Sequence, residues 1–105
     1  MITKDLVLYF FVGMFLFNAL PHLISGVIGN KHMTPISKDS SAVLNVLWGF
    51  FNIAVAVLFL SFTRAGIQPP PVPQYVIAVL LGGFVLSLIA ASMFSNPNAK
   101  MPWWK

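Results

Sequence analysis

The chain has 105 residues, of which 58% are hydrophobic and 8% are charged. Water-soluble domains carry about 25% charged residues, so this composition argues against a soluble fold. The net charge of +4 comes from six Lys and Arg residues that are scattered along the chain. Because nucleic-acid binding requires a concentrated basic face, we predict no nucleic-acid partner. The absence of cysteine excludes disulfides and thiolate metal sites.

Three long apolar runs, 6–28, 42–62 and 75–94, dominate the sequence. About 20 apolar residues in a helix cross the ~30 Å hydrocarbon core of a bilayer. A backbone in lipid must satisfy its own hydrogen bonds, which favours helices. The sequence therefore predicts an all-α integral membrane protein with three transmembrane helices in a small bundle. The first run exceeds the apolar length of a signal peptide, so we treat it as part of the mature protein.

The predicted helices cover about 6–29, 41–63 and 74–95, within a single membrane domain over 1–105. Between the first two lies a polar loop, whose last residues, 39–41, offer side-chain oxygens that can cap the second helix. A proline-rich stretch then predicts a stiff connector to the third helix. The tail 101–105 carries two tryptophans and a lysine, which is typical of an interfacial anchor.

The distribution of basic residues predicts the orientation. With three spans, Lys4 and Arg64 lie on one side of the membrane. The other side carries four lysines: Lys31, Lys38, Lys100 and Lys105. Loops rich in Lys and Arg face the cytoplasm, so we expect the N-terminus outside and the C-terminus in the cytoplasm. The short chain is typical of a protein of a bacterial inner membrane.

Six side chains at membrane depth form a feature that we call the polar seam. They are Asn18, His22 and Ser25 in the first helix and Asn45, Trp48 and Asn52 in the second. Each set of three shares one helical face. Counting from the midpoints of two antiparallel runs predicts three contacts: Asn18 with Asn52, His22 with Trp48, and Ser25 with Asn45.

The polar seam has three readings. Its side chains can join the two helices by hydrogen bonds, line a path for a ligand, ion or proton, or contact a partner subunit. His22 can likewise close a hydrogen-bond network, relay protons, or ligate haem or a metal. No Asp, Glu, Cys or second histidine lies at membrane depth, and His32 is in the loop, so paired histidine ligation requires a second copy of the chain. We therefore predict no metal site and no cofactor, haem included.

Small residues recur every four positions in the third helix, and they let another backbone approach closely. This helix-packing stripe consists of Gly83, Ser87, Ala91 and Ser95. It predicts either packing against the first two helices or contact with another chain.

No paired carboxylate, activated nucleophile or phosphate-binding glycine loop is present, which argues against an enzyme. The leading prediction is a structural or accessory subunit that self-associates or docks on a larger membrane complex. One alternative is an oligomeric transporter or channel that uses the polar seam around His22. Another is a haem- or ligand-binding membrane protein. The predicted partners are the lipid bilayer and further copies of the chain or a larger complex.

Overall fold

The computed structural model describes residues 3–104, and within them it is all-helical, with no strands. The helices are α1 (Lys4–Val27), α2 (Ala42–Ser61) and α3 (Pro73–Phe94). Each is long and apolar enough to cross a membrane, which confirms the predicted fold class. The molecule measures 43 × 23 × 23 Å, and its long axis matches the ~40–45 Å of a bilayer with its headgroups.

Each helix begins at a recognisable sequence signal. The Thr3 hydroxyl accepts a hydrogen bond from the Leu6 N–H at 3.3 Å, and the Ser41 hydroxyl accepts one from the Leu44 N–H at 3.1 Å. These caps satisfy donors that the first turn leaves free, and Ser41 is one of the three predicted capping residues. α3 begins with Pro73, whose missing N–H needs no partner in the first helical turn.

α1 ends in a turn that reverses the chain. Gly29 has φ of +80°, a left-handed conformation that glycine adopts without steric cost. The Gly29 N–H donates to the Gly26 carbonyl at 3.0 Å, and the Asn30 N–H donates to the Ser25 carbonyl at 2.8 Å. This pair of bonds defines a Schellman motif. The following loop is thereby directed back along the end of α1.

α1 is the central helix, because α2 and α3 each pack on it and, within the described residues, do not pack on each other. α1 and α3 approach closely where glycines face the opposite backbone. A Cβ atom on Gly13 would collide with the carbonyl oxygen of Val79, and one on Gly82 with the carbonyl oxygen of Phe10. Backbone approach through small residues is a common way to pack helices in lipid.

The interface between α1 and α2 also contains two glycines. A Cβ atom on Gly26 would lie 2.6 Å from the Ala42 carbonyl oxygen, and one on Gly49 would lie 2.6 Å from the Leu23 side chain. Gly49 and Asn45 are both buried on the same face of α2. Close packing therefore brings the polar seam of the two helices into contact.

The end of the bundle that carries the N-terminus is closed by side chains. Tyr9 is fully buried, its hydroxyl donates to the Thr63 hydroxyl at 3.4 Å, and its ring stacks on Tyr75 with centroids 4.6 Å apart. The Asp5 carboxylate accepts a hydrogen bond from the Arg64 backbone N–H at 3.3 Å. These contacts join the start of α1 to the connector after α2 and to the first turn of α3.

Candidate functional site

The deepest pair of the polar seam is a hydrogen bond between two asparagines. Asn18 Nδ2 donates to Asn52 Oδ1 at 2.9 Å, as the register of the two helices predicts. Asn52 Nδ2 donates in turn to the Trp48 carbonyl oxygen at 2.8 Å, which fixes the orientation of the Asn52 amide. Asn18 must then present its N–H to Asn52, and its own Oδ1 is the acceptor that this pair does not use.

His22 and Asn45 form the second pair, with His22 Nδ1 2.8 Å from Asn45 Oδ1. Both residues are buried. The two hydrogens of Asn45 Nδ2 are shared among three backbone carbonyl oxygens, those of His32 at 2.9 Å, Ser40 at 3.1 Å and Ser41 at 3.0 Å. Asn45 therefore binds α1 through its oxygen and the first loop through its nitrogen.

This network assigns the tautomer of the His22 ring. Because Asn45 Nδ2 is committed to carbonyl oxygens, its Oδ1 is the atom that faces His22 and can only accept. His22 Nδ1 must therefore carry the hydrogen. In the neutral ring, Nε2 is then an unprotonated nitrogen with a free lone pair.

Of the two remaining predicted contacts, the one between His22 and Trp48 is present, and the one between Ser25 and Asn45 is replaced by a contact about one helical turn away. Asn45 bonds to His22 rather than to Ser25, which is half-buried near the end of α1. The Trp48 ring lies edge-on to the His22 ring, with centroids 6.5 Å apart. His22 is level with a point between positions 45 and 48 of α2, so it meets both neighbours, whereas Ser25 lies beyond them.

A cavity of about 180 Å³ opens beside this network, at the end of the bundle where the first loop meets the C-terminal tail. Asn18, His22 and Trp48 contribute its polar wall. The remaining lining residues come from the loop, the end of α3 and the tail: Met33, Thr34, Pro35, Met93, Phe94, Met101 and Trp104. Five segments of the chain, namely the three helices, the first loop and the tail, therefore converge on one space.

The C-terminal tail covers the cavity by hydrogen bonds to the first loop. The indole N–H groups of Trp103 and Trp104 both donate to the Pro35 carbonyl oxygen, the latter at 3.2 Å. The Lys38 ammonium donates to the Pro97 carbonyl oxygen. The predicted interfacial anchor thus also closes the bundle on this side.

Two buried ring nitrogens near the cavity have no hydrogen-bond partner among the described residues: Trp48 Nε1 and His32 Nε2. Leaving a buried polar group unpaired costs about 1–3 kcal/mol. The indole N–H of Trp48 can only donate. Two residues of the cavity lining therefore keep an unused hydrogen-bonding group, Trp48 its indole N–H and His22 its Nε2 lone pair.

His32 lies next to His22 in the same chain, which corrects the expectation that a second copy is needed to bring two histidines together. The two ring centroids are 5.2 Å apart. The turn at Gly29 folds the loop back over α1 and brings His32 to His22. The limits of the helical spans do not predict this approach, because they place His32 outside α1. Burial lowers the pKa of His32 below its ordinary value, which favours the neutral form of its ring.

The helix-packing stripe divides between two environments. Gly83 is buried, and a Cβ atom there would collide with the Phe17 ring. Ser87, Ala91 and Ser95 are exposed, so they do not pack inside this chain. The face of α3 that meets α1 is instead centred on Ala78 and Gly82.

The cavity residues outside the polar seam were not predicted from the sequence. Met33, Met93 and Met101 lie in a loop, at the end of α3 and in the tail, so no helical period connects them. A usable signal was that all three adjoin breaks between helices. Residues 3–104 contain no group of three or more His, Cys, Asp or Glu side chains placed to hold a metal ion.

No family model, curated protein or solved structure matches this chain.

Proposed function

We propose that this chain is a small membrane-embedded binding protein whose ligand occupies the cavity beside His22. One observation carries the proposal: a buried histidine with an oriented lone pair lines a cavity together with a tryptophan whose buried N–H has no partner. A side chain that only joins helices needs no such free donor and acceptor. A ligand that meets them would recover the free energy that the unpaired groups lose.

The cavity limits what the ligand can be. Its volume of about 180 Å³ is room for about six water molecules at ~30 Å³ each. The lining is mostly apolar, apart from Asn18, His22, Trp48 and Thr34. These features favour a small molecule or ion that contacts a few polar atoms and otherwise tolerates an apolar surrounding.

Conduction through the single chain is less well supported than binding. The asparagine pair and the His22–Asn45 pair join α1 to α2 by direct hydrogen bonds across the seam. At the opposite end, the buried Tyr9 and its bond to Thr63 close the bundle. A cavity with one polar wall and a sealed seam beneath it is suited to holding a ligand.

The test is a native mass spectrum of the protein released in mild detergent, compared with that of His22→Asn. The asparagine amide nitrogen can replace Nδ1 as the donor to Asn45 but supplies no counterpart of Nε2. We expect the wild type to carry an added mass that the variant lacks, with both proteins melting within a few degrees of each other. A wild type without added mass, or an equal added mass on both proteins, would contradict the proposal.

The second candidate is a structural or accessory subunit that self-associates or docks on a larger complex. It is favoured by the outer face of α3, where Ser87, Ala91 and Ser95 are exposed and can admit another helix closely. The same spectrum discriminates between the two. A mass at a multiple of 11.6 kDa supports self-association, and the mass of a second polypeptide supports docking.

We also propose a location and an orientation. The chain functions as one membrane domain in a bacterial inner membrane, with the N-terminus outside. This orientation rests on the excess of lysines in the first loop and the tail over the basic residues of the other side. It puts the cavity at the cytoplasmic end of the bundle.

A further inference from the structure

We propose that the ligand of this cavity is a soft monovalent metal ion, Cu(I), held by the His22 imidazole and the thioethers of Met33, Met93 and Met101. The inference rests on the binding function proposed above and specifies its ligand. Thioether sulfur is a soft donor that favours Cu(I), and imidazole also suits copper. The four residues that carry these donor groups line one cavity.

The methionines of the chain are concentrated at this cavity. The chain has five methionines, and three of them line this one cavity. They reach it from three separate segments: the first loop, the last turn of α3 and the tail. Methionine also serves as a flexible filler of apolar space, but a filler role does not require this convergence beside a histidine.

His22 is prepared as a metal ligand by Asn45. Histidines that bind metals almost always donate their other ring N–H to an oxygen acceptor, which fixes the tautomer and the ring orientation. Here Nδ1–H donates to Asn45 Oδ1, and Asn45 is itself held by three carbonyl oxygens. Nε2 is therefore the nitrogen that can coordinate an ion in the cavity.

His32 offers a second imidazole close to the first. Its ring centroid is 5.2 Å from that of His22, and its buried Nε2 has no partner among the described residues. Two imidazoles that each bind one ion at ~2 Å place their rings at a comparable separation. A small shift of the first loop can thus add His32 to the coordination of the same ion.

The surroundings favour a monovalent soft ion over Zn²⁺ or another hard cation. No carboxylate or thiolate lines the cavity, so the protein supplies no negative charge to offset two positive charges. Burying an uncompensated charge is costly, and the cost rises with the charge of the ion. Cu(I) carries a single charge and accepts neutral sulfur and nitrogen donors.

The experiment is a competition titration of the full chain in detergent against a chromophoric Cu(I) chelator, under anaerobic reducing conditions. We expect the wild type to withdraw one Cu(I) per chain. Replacing the three cavity methionines by leucine conserves their volume, and this variant should bind Cu(I) at least about tenfold more weakly. Met14→Leu is the matched control, because Met14 lies in α1 away from the cavity lining, and it should retain wild-type affinity.

Equal Cu(I) affinity in the wild type and the triple variant would overturn the assignment, and so would retention of Zn²⁺ in preference to Cu(I). If the triple variant does not fold, the methionine methyl NMR signals of the wild type can be followed while Ag(I), a soft monovalent ion, is added. Those of Met33, Met93 and Met101 should shift and that of Met14 should not; unchanged cavity signals would overturn it. An organic added mass in the native spectrum without Cu(I) binding would contradict this inference and leave the proposed binding function standing.

Discussion

Asn18 and Asn52 illustrate how a single polar contact acts inside an apolar bundle. Asn52 is 1% exposed, so its amide cannot turn to water when its partner is removed. Its Oδ1 accepts from Asn18 and its Nδ2 donates within α2 to the Trp48 carbonyl. Loss of Asn18 alone leaves an acceptor unpaired, whereas loss of both removes donor and acceptor together.

We therefore expect a positive coupling between Asn18→Leu and Asn52→Leu. The double variant should lose less stability than the sum of the single losses, by about 0.6 kcal/mol and at most about 1.7 kcal/mol, the average and the maximum for hydrogen bonds between membrane helices. The measurement is a double-mutant cycle of unfolding free energies in detergent. Additive losses would mean that the two amides do not stabilise each other.

The register of this pair could be predicted because helical geometry fixes it. Side chains four residues apart share a face, and two antiparallel spans bring their midpoints to the same depth. The cavity next to the pair could not be predicted in this way. Its walls include Met33 and Met101 from outside the helices, and their approach to His22 depends on the turn at Gly29 and on the tail that closes over the loop.

At the scale of the helices, close backbone contact decides where α3 packs. Gly82 faces the Phe10 carbonyl and Gly13 faces the Val79 carbonyl, so the two helices meet at points that have no side chain. The four-residue stripe that includes Gly83 points mostly away from α1, because Ser87, Ala91 and Ser95 are exposed. The sequence indicated that α3 uses small residues but not which face α1 occupies.

Gly82→Ala should accordingly force α1 and α3 apart. A methyl group has no space against the Phe10 carbonyl, and overpacking of this kind typically costs about 1–3 kcal/mol. Thermal unfolding in detergent measures the loss. Ala91→Val adds bulk to the exposed face of the same helix and serves as the control, which should melt close to the wild type. A Gly82→Ala protein as stable as the wild type would mean that α1 and α3 have room for a methyl group at this contact.

At the scale of the whole molecule, the two ends of the bundle differ in character. One end is sealed by Tyr9, Thr63 and Tyr75. The other end holds the cavity, covered by the first loop and the tail, which Lys38 and Pro97 join. A ligand should therefore enter and leave at the cavity end, and the side of the membrane that this end faces determines where the ligand comes from.

Labelling of single cysteines tests that orientation directly, since the natural chain has no cysteine to react. Gln68 and Asn98 are exposed, the first in the connector between α2 and α3 and the second in the tail. With the N-terminus outside, a membrane-impermeant maleimide should label Gln68→Cys in intact cells and Asn98→Cys only after permeabilisation. Asp39→Cys in the first loop should behave like Asn98→Cys, because an odd number of spans separates both from the connector. The reverse pattern would put the cavity at the outer face of the membrane, so that the ligand would come from outside the cell. Labelling of all three cysteines from one side would contradict the three-span topology itself.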